Sequence, residues 1–508
     1  MMTFATKLIA LRDKMKRHPI GASFLSLASD SAVYLVGGIL VGLGNVVLIP
    51  LYTRLLLPRA FGVFALIDVA ILMVVTVSLL RMDVSYLKWF ADIRSESRKE
   101  LLGSALLTGL ASSSVGGAIL FLIAASHLGE SWLHEPVRNY ALLLLPIVVL
   151  ENLQALFLTD LRARRKPVFY SLAALFRLLG MLLSSYYLMS VRGMGLSGLF
   201  AGRLVGDAIS ITFLAVVCLR SVMWRFSWPL IGPMIRFGLP LIWSLLAFMA
   251  QDAAGRYFLV HYGTLEQVGL LGAAIKISGV FQMLVSMPFG VAWGGLLFQI
   301  VKQPEAQLIY SKIFGYVYVF TIGMALILTI FGPTLFRIFT ARAYFSAVTL
   351  LPLILLVRAT NVVEQPAATG IYLSGRTEIF AAINTAALAV NLLLLYGLVP
   401  RYGAIGVGWA WFLGSAVVPI LDLFFGQKMF RLSLSARLTL WPVLPWLLIL
   451  FRLPVAFAEG RLNHFVTECV LSSLVVLFIG ALVANDVRDL RQQFRHRTGS
   501  PVLEAVER

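Results

Sequence analysis

Apolar runs of about twenty residues, separated by short polar connections, repeat from one end of the chain to the other. Coiled as a helix, a run of about twenty residues matches the ~30 Å hydrocarbon thickness of a bilayer. Inside hydrocarbon a helix satisfies its own backbone hydrogen bonds. The pattern predicts spans at 29–52, 61–80, 101–125, 140–158, 168–189, 195–219, 234–259, 268–300, 313–336, 347–373, 379–399, 404–425, 438–451 and 465–484. The thirteenth is the shortest and is interrupted by Pro442 and Pro445. The expected fold class is an all-α polytopic membrane protein with about fourteen transmembrane helices.

Charge placement gives an independent test. With the N-terminus in the cytoplasm, Arg94, Arg98, Lys99, Arg162, Arg164, Arg165, Lys166 and Arg225 fall on the inner side. Lys428, Arg431, Arg437 and the tail Arg488, Arg491, Arg495 and Arg497 join them. About 28 cationic residues lie inside against about ten outside, as the positive-inside rule requires. Both termini are therefore expected in the cytoplasm, with a bacterial inner membrane as the location. The net charge of +18 on 508 residues belongs to this asymmetry, not to a nucleic-acid surface. Only 13% of residues are charged and 59% are hydrophobic, with a mean hydropathy of +0.89. A soluble chain carries roughly a quarter charged residues. Cys218 and Cys469 do not make a disulfide framework or a metal cluster. The basic start lacks the short apolar core and cleavage site of a signal peptide.

The two halves resemble each other at an offset of roughly 207 residues, the signature of parallel repeats. LLLPRAFGVFAL, ending at Leu66, aligns with HYGTLEQVGLLGAA, ending at Ala274, which brings Gly62 onto Gly269. Leu145-Pro146 aligns with Leu351-Pro352, and the turn Gly195 to Gly198 with Gly403 to Gly406. Six spans separate the repeats, so both halves have the same orientation, with a substrate site expected between them. The expected organisation is a basic segment 1–28, an N-lobe 29–225, a C-lobe 226–430 related to it by a pseudo-two-fold along the membrane normal, a helix pair 431–487 and a basic tail 488–508.

IPLYTRLLLPRAFGVFAL and FGLPLIWSLLAFMAQDAAGRYFLVHYGTLEQVGLLGAAIKI resemble the polysaccharide-transporter branch of the multidrug/oligosaccharidyl-lipid/polysaccharide (MOP) flippase superfamily. Pro240, Asp252, Arg256, Gly269 and Lys276 stand within the second stretch. The N-terminal pattern of the lipid II flippases is not apparent. The resemblance implies an alternating-access carrier that moves undecaprenyl-pyrophosphate-linked oligosaccharide, for O-antigen, capsule or exopolysaccharide assembly, from the inner to the outer leaflet. It implies polysaccharide polymerases and glycosyltransferases as partners. A drug/cation antiporter of the same superfamily is the alternative, and a membrane-embedded glycosyltransferase or polymerase a more distant one. Neither nucleic acid nor a bound cofactor is expected, and no catalytic or metal-binding residues are assigned.

Charges inside the apolar runs are the candidate site. Each costs ~2.5–3.5 kcal/mol to insert and usually faces protein or water. Arg177, Arg203, Lys276 and Arg358 are candidates for a cationic cavity that binds pyrophosphate, since a guanidinium fork matches phosphate geometry. Structural pairing is the competing reading, Arg203 with Asp207 or Arg256 with Asp252, each one turn apart. Asp68 and Lys276 follow Gly62 and Gly269 by six and seven residues and form a candidate gate pair. Asp30, Glu151, Glu364 and Asp422 are candidates for coupling transport to H+ or Na+, or for anchoring a neighbouring arginine. Ser112, Ser113 and Ser114, with Gly116 and Gly117, read as close helix packing.

Overall fold

The computed structural model describes residues 47–93, 97–126, 138–301, 305–374, 376–432 and 471–481, and among these the regular structure is helical. The candidate Asp30, together with Cys469 and the span at 438–451, lies outside the described residues. Nine of the described helices are long and apolar enough to cross a membrane. The fold is that of an all-α polytopic membrane protein. The chain divides into two compact units, one reaching Met283 and one starting at Leu284.

In the first unit, residues 47–55 are helical and lead into α1 (Pro58–Ser78), whose first turn begins at proline. Proline presets the helical φ there and loses no useful N–H. Leu80 and Arg81, both left-handed, separate α1 from the short α2 (Met82–Asp92). Then follow α3 (Arg98–Ala125), α4 (Arg138–Ala163), α5 (Pro167–Tyr186) and α6 (Gly195–Cys218). The 35-residue α7 (Trp228–Tyr262) precedes α8 (Leu265–Ile277). The Thr264 hydroxyl caps α8 by accepting from the Gln267 N–H at 3.2 Å. At one end of the unit, Met82, Tyr86, Leu101, Leu102, Leu156 and Met234 share an apolar core.

Two close approaches position the site. The first is between α5 and α6. Gly198, Gly202 and Gly206 form a stripe along α6, and a methyl group at Gly206 would lie 2.8 Å from the Arg177 carbonyl oxygen. At Gly202 it would lie 2.7 Å from the Ser185 backbone. Small residues four apart let helix backbones approach where lipid offers no hydrophobic drive. The second approach joins α1 and α8, and it is reciprocal. A methyl at Gly62 would lie 2.0 Å from the Leu265 carbonyl oxygen, and one at Gly269 1.9 Å from that of Pro58. Pro58 and Leu265 precede their glycines by four residues each, so the repeat-related segments meet through equivalent atoms. The serine run also serves packing: the Ser112 hydroxyl donates to the Ser78 carbonyl at 2.6 Å.

The chain passes into the second unit within the π-helical turn Gln282–Ser286. There α9 (Met287–Ile300), α10 (Ala306–Ile330) and α11 (Leu351–Ala367) precede α12 (Thr377–Met429). Gly403 breaks α12 with φ 54°, and Gly195 at the start of α6 has φ 53°. The aligned turns of the two repeats therefore each place a glycine at positive φ, which other residues enter at a cost. A last helix, α13 (Leu471–Ala481), sets Ile479 against α10, where a methyl at Gly323 would lie 1.9 Å from it.

Candidate functional site

A cavity of about 400 Å³ opens in the first unit, lined from the 47–55 segment and from α1, α4, α5, α6 and α8. Tyr52, Asp68, Glu151, Arg177, Arg203 and Lys276 contribute its polar lining. Their charges form a chain of alternating sign. Asp207 Oδ1 accepts from Arg177 Nε at 2.5 Å, and Arg177 Nη2 donates to Glu151 Oε1 at 2.5 Å. The same Glu151 oxygen accepts from Arg203 Nε at 3.0 Å and Nη2 at 2.8 Å. Arg203 Nη1 donates to Asp68 Oδ1 at 2.7 Å, and Lys276 Nζ to Asp68 Oδ2 at 3.3 Å. Three cations and three carboxylates thus balance.

The fold explains the convergence. The α6 glycine stripe lays the α5 backbone against α6, so Arg177 reaches Asp207 and Arg203 stands beside it. Arg203 and Asp207 are one turn apart on α6 but do not pair with each other. Arg203 turns to α1 and α4, and Asp207 turns to α5. The competing reading, in which Arg203 pairs with Asp207, does not hold. Spacing of one turn places two side chains on the same helix face, yet stronger partners on neighbouring helices claim both. Arg256 does pair with Asp252, Nε to Oδ1 at 3.0 Å, and its Nη1 donates to the Ala65 carbonyl at 3.0 Å.

Burial grades the chain. The Asp207 side chain is 0% exposed, Glu151 11% and Arg177 33%. Charges at such depth survive by pairing, because removing one partner of a buried ion pair costs about 3–5 kcal/mol. The Tyr52 hydroxyl and Asp207 Oδ2 are buried without a hydrogen-bond partner among the described residues. Tyr52 was not legible as a site residue, since a tyrosine at a span end reads as an interface anchor.

The remaining candidates lie in the second unit. Arg358 and Glu364 are on α11, and Asp422 is on α12. Asp422 is fully buried, and neither of its oxygens has a hydrogen-bond partner among the described residues. The Thr360 and Ser415 hydroxyls join these two helices at 2.9 Å.

Residues 51–262 match a family model described as polysaccharide biosynthesis protein. No curated protein matches the chain. Among solved structures, the lipid II flippase MurJ in an inward closed conformation superposes with a TM-score of 0.70 at 14% identity, covering 91% of this chain and 99% of that one. An inward-facing multidrug resistance MATE family transporter of the MOP superfamily gives 0.56 at 17% identity, covering 78% and 93%. A mutant of the Vibrio cholerae MATE transporter VcmN gives 0.50 at 15% identity, covering 80% and 96%. The chain shares the fold of the lipid II flippase MurJ and of a MATE transporter of the MOP superfamily, and residues 51–262 match the polysaccharide biosynthesis protein model, in agreement with the resemblance read in the sequence.

Proposed function

We propose that this chain is a flippase for polyprenyl-diphosphate-linked oligosaccharide, acting in the bacterial inner membrane with both termini in the cytoplasm. One observation carries the reading: two arginines from adjacent helices, Arg177 and Arg203, converge on one oxygen in a cavity of about 400 Å³ at membrane depth. That is an arrangement in which two guanidinium forks receive phosphate oxygens. Lys276 adds a point charge to the same cavity. The volume suits a diphosphate with its first sugar, within the roughly 300–1,000 Å³ range of ligand sites. The apolar tail remains in lipid, so only the polar head needs the wet path.

No bond is made or broken in such a cycle. Asp422 and Glu364 are candidates for H+ or Na+ coupling; Asp422, buried with neither oxygen hydrogen-bonded among the described residues, gains from a proton or a cation. Polysaccharide polymerases and glycosyltransferases are the partners this role requires. The carboxylates Asp68, Glu151 and Asp207 support a second reading, export of organic cations, which such acids would hold.

The deciding experiment measures transbilayer movement of a polyprenyl-diphosphate oligosaccharide in proteoliposomes. The wild-type chain is expected to accelerate it without nucleotide, and Arg177→Ala and Arg203→Ala each to slow it by at least about tenfold, the loss of one charge-assisted pair. Transport of a cationic dye in place of the lipid would select the antiport reading.

A further inference from the structure

We propose that the Glu151 carboxylate is an internal stand-in for the substrate's diphosphate, holding the Arg177–Arg203 seat between substrates and giving it up when the diphosphate arrives. This rests on the flippase reading above and assigns the residue that regulates occupancy of its site.

The geometry separates Glu151 from the other two acids. Its Oε1 alone accepts from both guanidinia, taking Nη2 of Arg177 and both Nε and Nη2 of Arg203. A phosphate oxygen bridging two arginines makes these same contacts. Glu151 lines the cavity, whereas Asp207 is fully enclosed. Each arginine also has a second anchor. Asp207 holds Nε of Arg177, and Asp68 holds Nη1 of Arg203. When Glu151 swings away, neither guanidinium loses its position or its last counter-ion. The buried Tyr52 hydroxyl, which faces the same cavity without a hydrogen-bond partner among the described residues, is a donor available to the incoming anion.

The arrangement has a kinetic purpose. Two arginines sharing one seat with no internal competitor would bind a diphosphate so tightly that release would limit every cycle. A tethered carboxylate that occupies the seat part of the time weakens apparent affinity by the fraction of time it sits there. It also helps expel the diphosphate by returning. A carrier must let go on the far side, and Glu151 supplies the returning ligand.

The test is titration calorimetry of the full chain in lipid nanodiscs, using inorganic pyrophosphate and farnesyl diphosphate as separate probes. Glu151→Gln keeps the volume but weakens the contacts, and Glu151→Asp keeps the charge but loses the reach to both guanidinia. Both variants are expected to bind farnesyl diphosphate at least about tenfold more tightly than the wild type, the competitor having been weakened. In Glu151→Ala, acetate is expected to compete with the probe, and in the wild type it is not. Unfolding midpoints are measured beside each titration, and if the Gln variant does not fold, the Asp variant decides.

Equal or weaker binding by the folded variants would overturn the stand-in role. Farnesyl diphosphate binding by the wild type would leave the flippase reading intact in that case. Failure of both probes on the wild type and every variant would remove the diphosphate seat, and both readings with it. A gain confined to pyrophosphate would identify a free anion as the occupant and overturn the lipid-headgroup assignment.

Discussion

Arg203 meets two carboxylates from two different helices, and its worth to the fold follows from that. Replacing it with alanine strands Glu151 and Asp68 with one cation fewer each, at a cost of about 3–5 kcal/mol for a broken buried pair. Lysine keeps the charge but not the three-nitrogen reach that spans Glu151 and Asp68. Thermal unfolding in nanodiscs should therefore order the proteins alanine, lysine, wild type, from least to most stable. An Arg203→Lys variant as stable as the wild type would show that charge alone holds the cluster. The cations were legible in the sequence, because a charge inside an apolar run stands out. The partners of Arg177 and Arg203 were not, because pairing between helices depends on helix rotation, which the apolar pattern leaves open when a helix is apolar all round.

At the scale of the element, the α5–α6 pair decides whether the site forms. Gly202 and Gly206 have no room for a side chain, so Gly206→Leu should part the helices and withdraw Arg177 from Asp207. Overpacking of this kind costs about 1–3 kcal/mol, and flipping should fall further than stability does. Comparing transport rate with unfolding midpoint in that variant checks the claim, and parallel losses would reject it. Gly195→Ala tests a separate point. Its φ of 53° should cost about 1–2 kcal/mol in strain with the space around it open. The sequence showed the repeat through short glycine matches. It did not show α2, whose Met82–Asp92 residues follow a left-handed break at Leu80 and Arg81 that no glycine announces.

Across the first unit as a whole, α1 and α8 join through glycines and are charged just beyond them. Asp68 and Lys276 stand 3.3 Å apart, one position out of register in the two repeats. Asp68 also faces Arg203, so the pair is not isolated. Reversing either charge should suppress flipping, and reversing both should restore only part of it, because the new cation at position 68 opposes Arg203. The double-mutant coupling is expected at about 0.5–3 kcal/mol, read from unfolding midpoints of the four proteins. A coupling of zero would mean that the two residues act separately.

The reciprocal seating of Gly62 and Gly269 also speaks to ancestry. Two half-length chains of one sequence would meet in this way as a symmetric dimer, each giving the same patch to the other. In such an ancestor one mutation at the glycine would strike the joint twice. A single chain lets the two sides differ, and here they do: the positions matching Asp68 and Lys276 hold Ile275 and Val69. One acid and one base stand where a symmetric pair of identical chains would carry two of each.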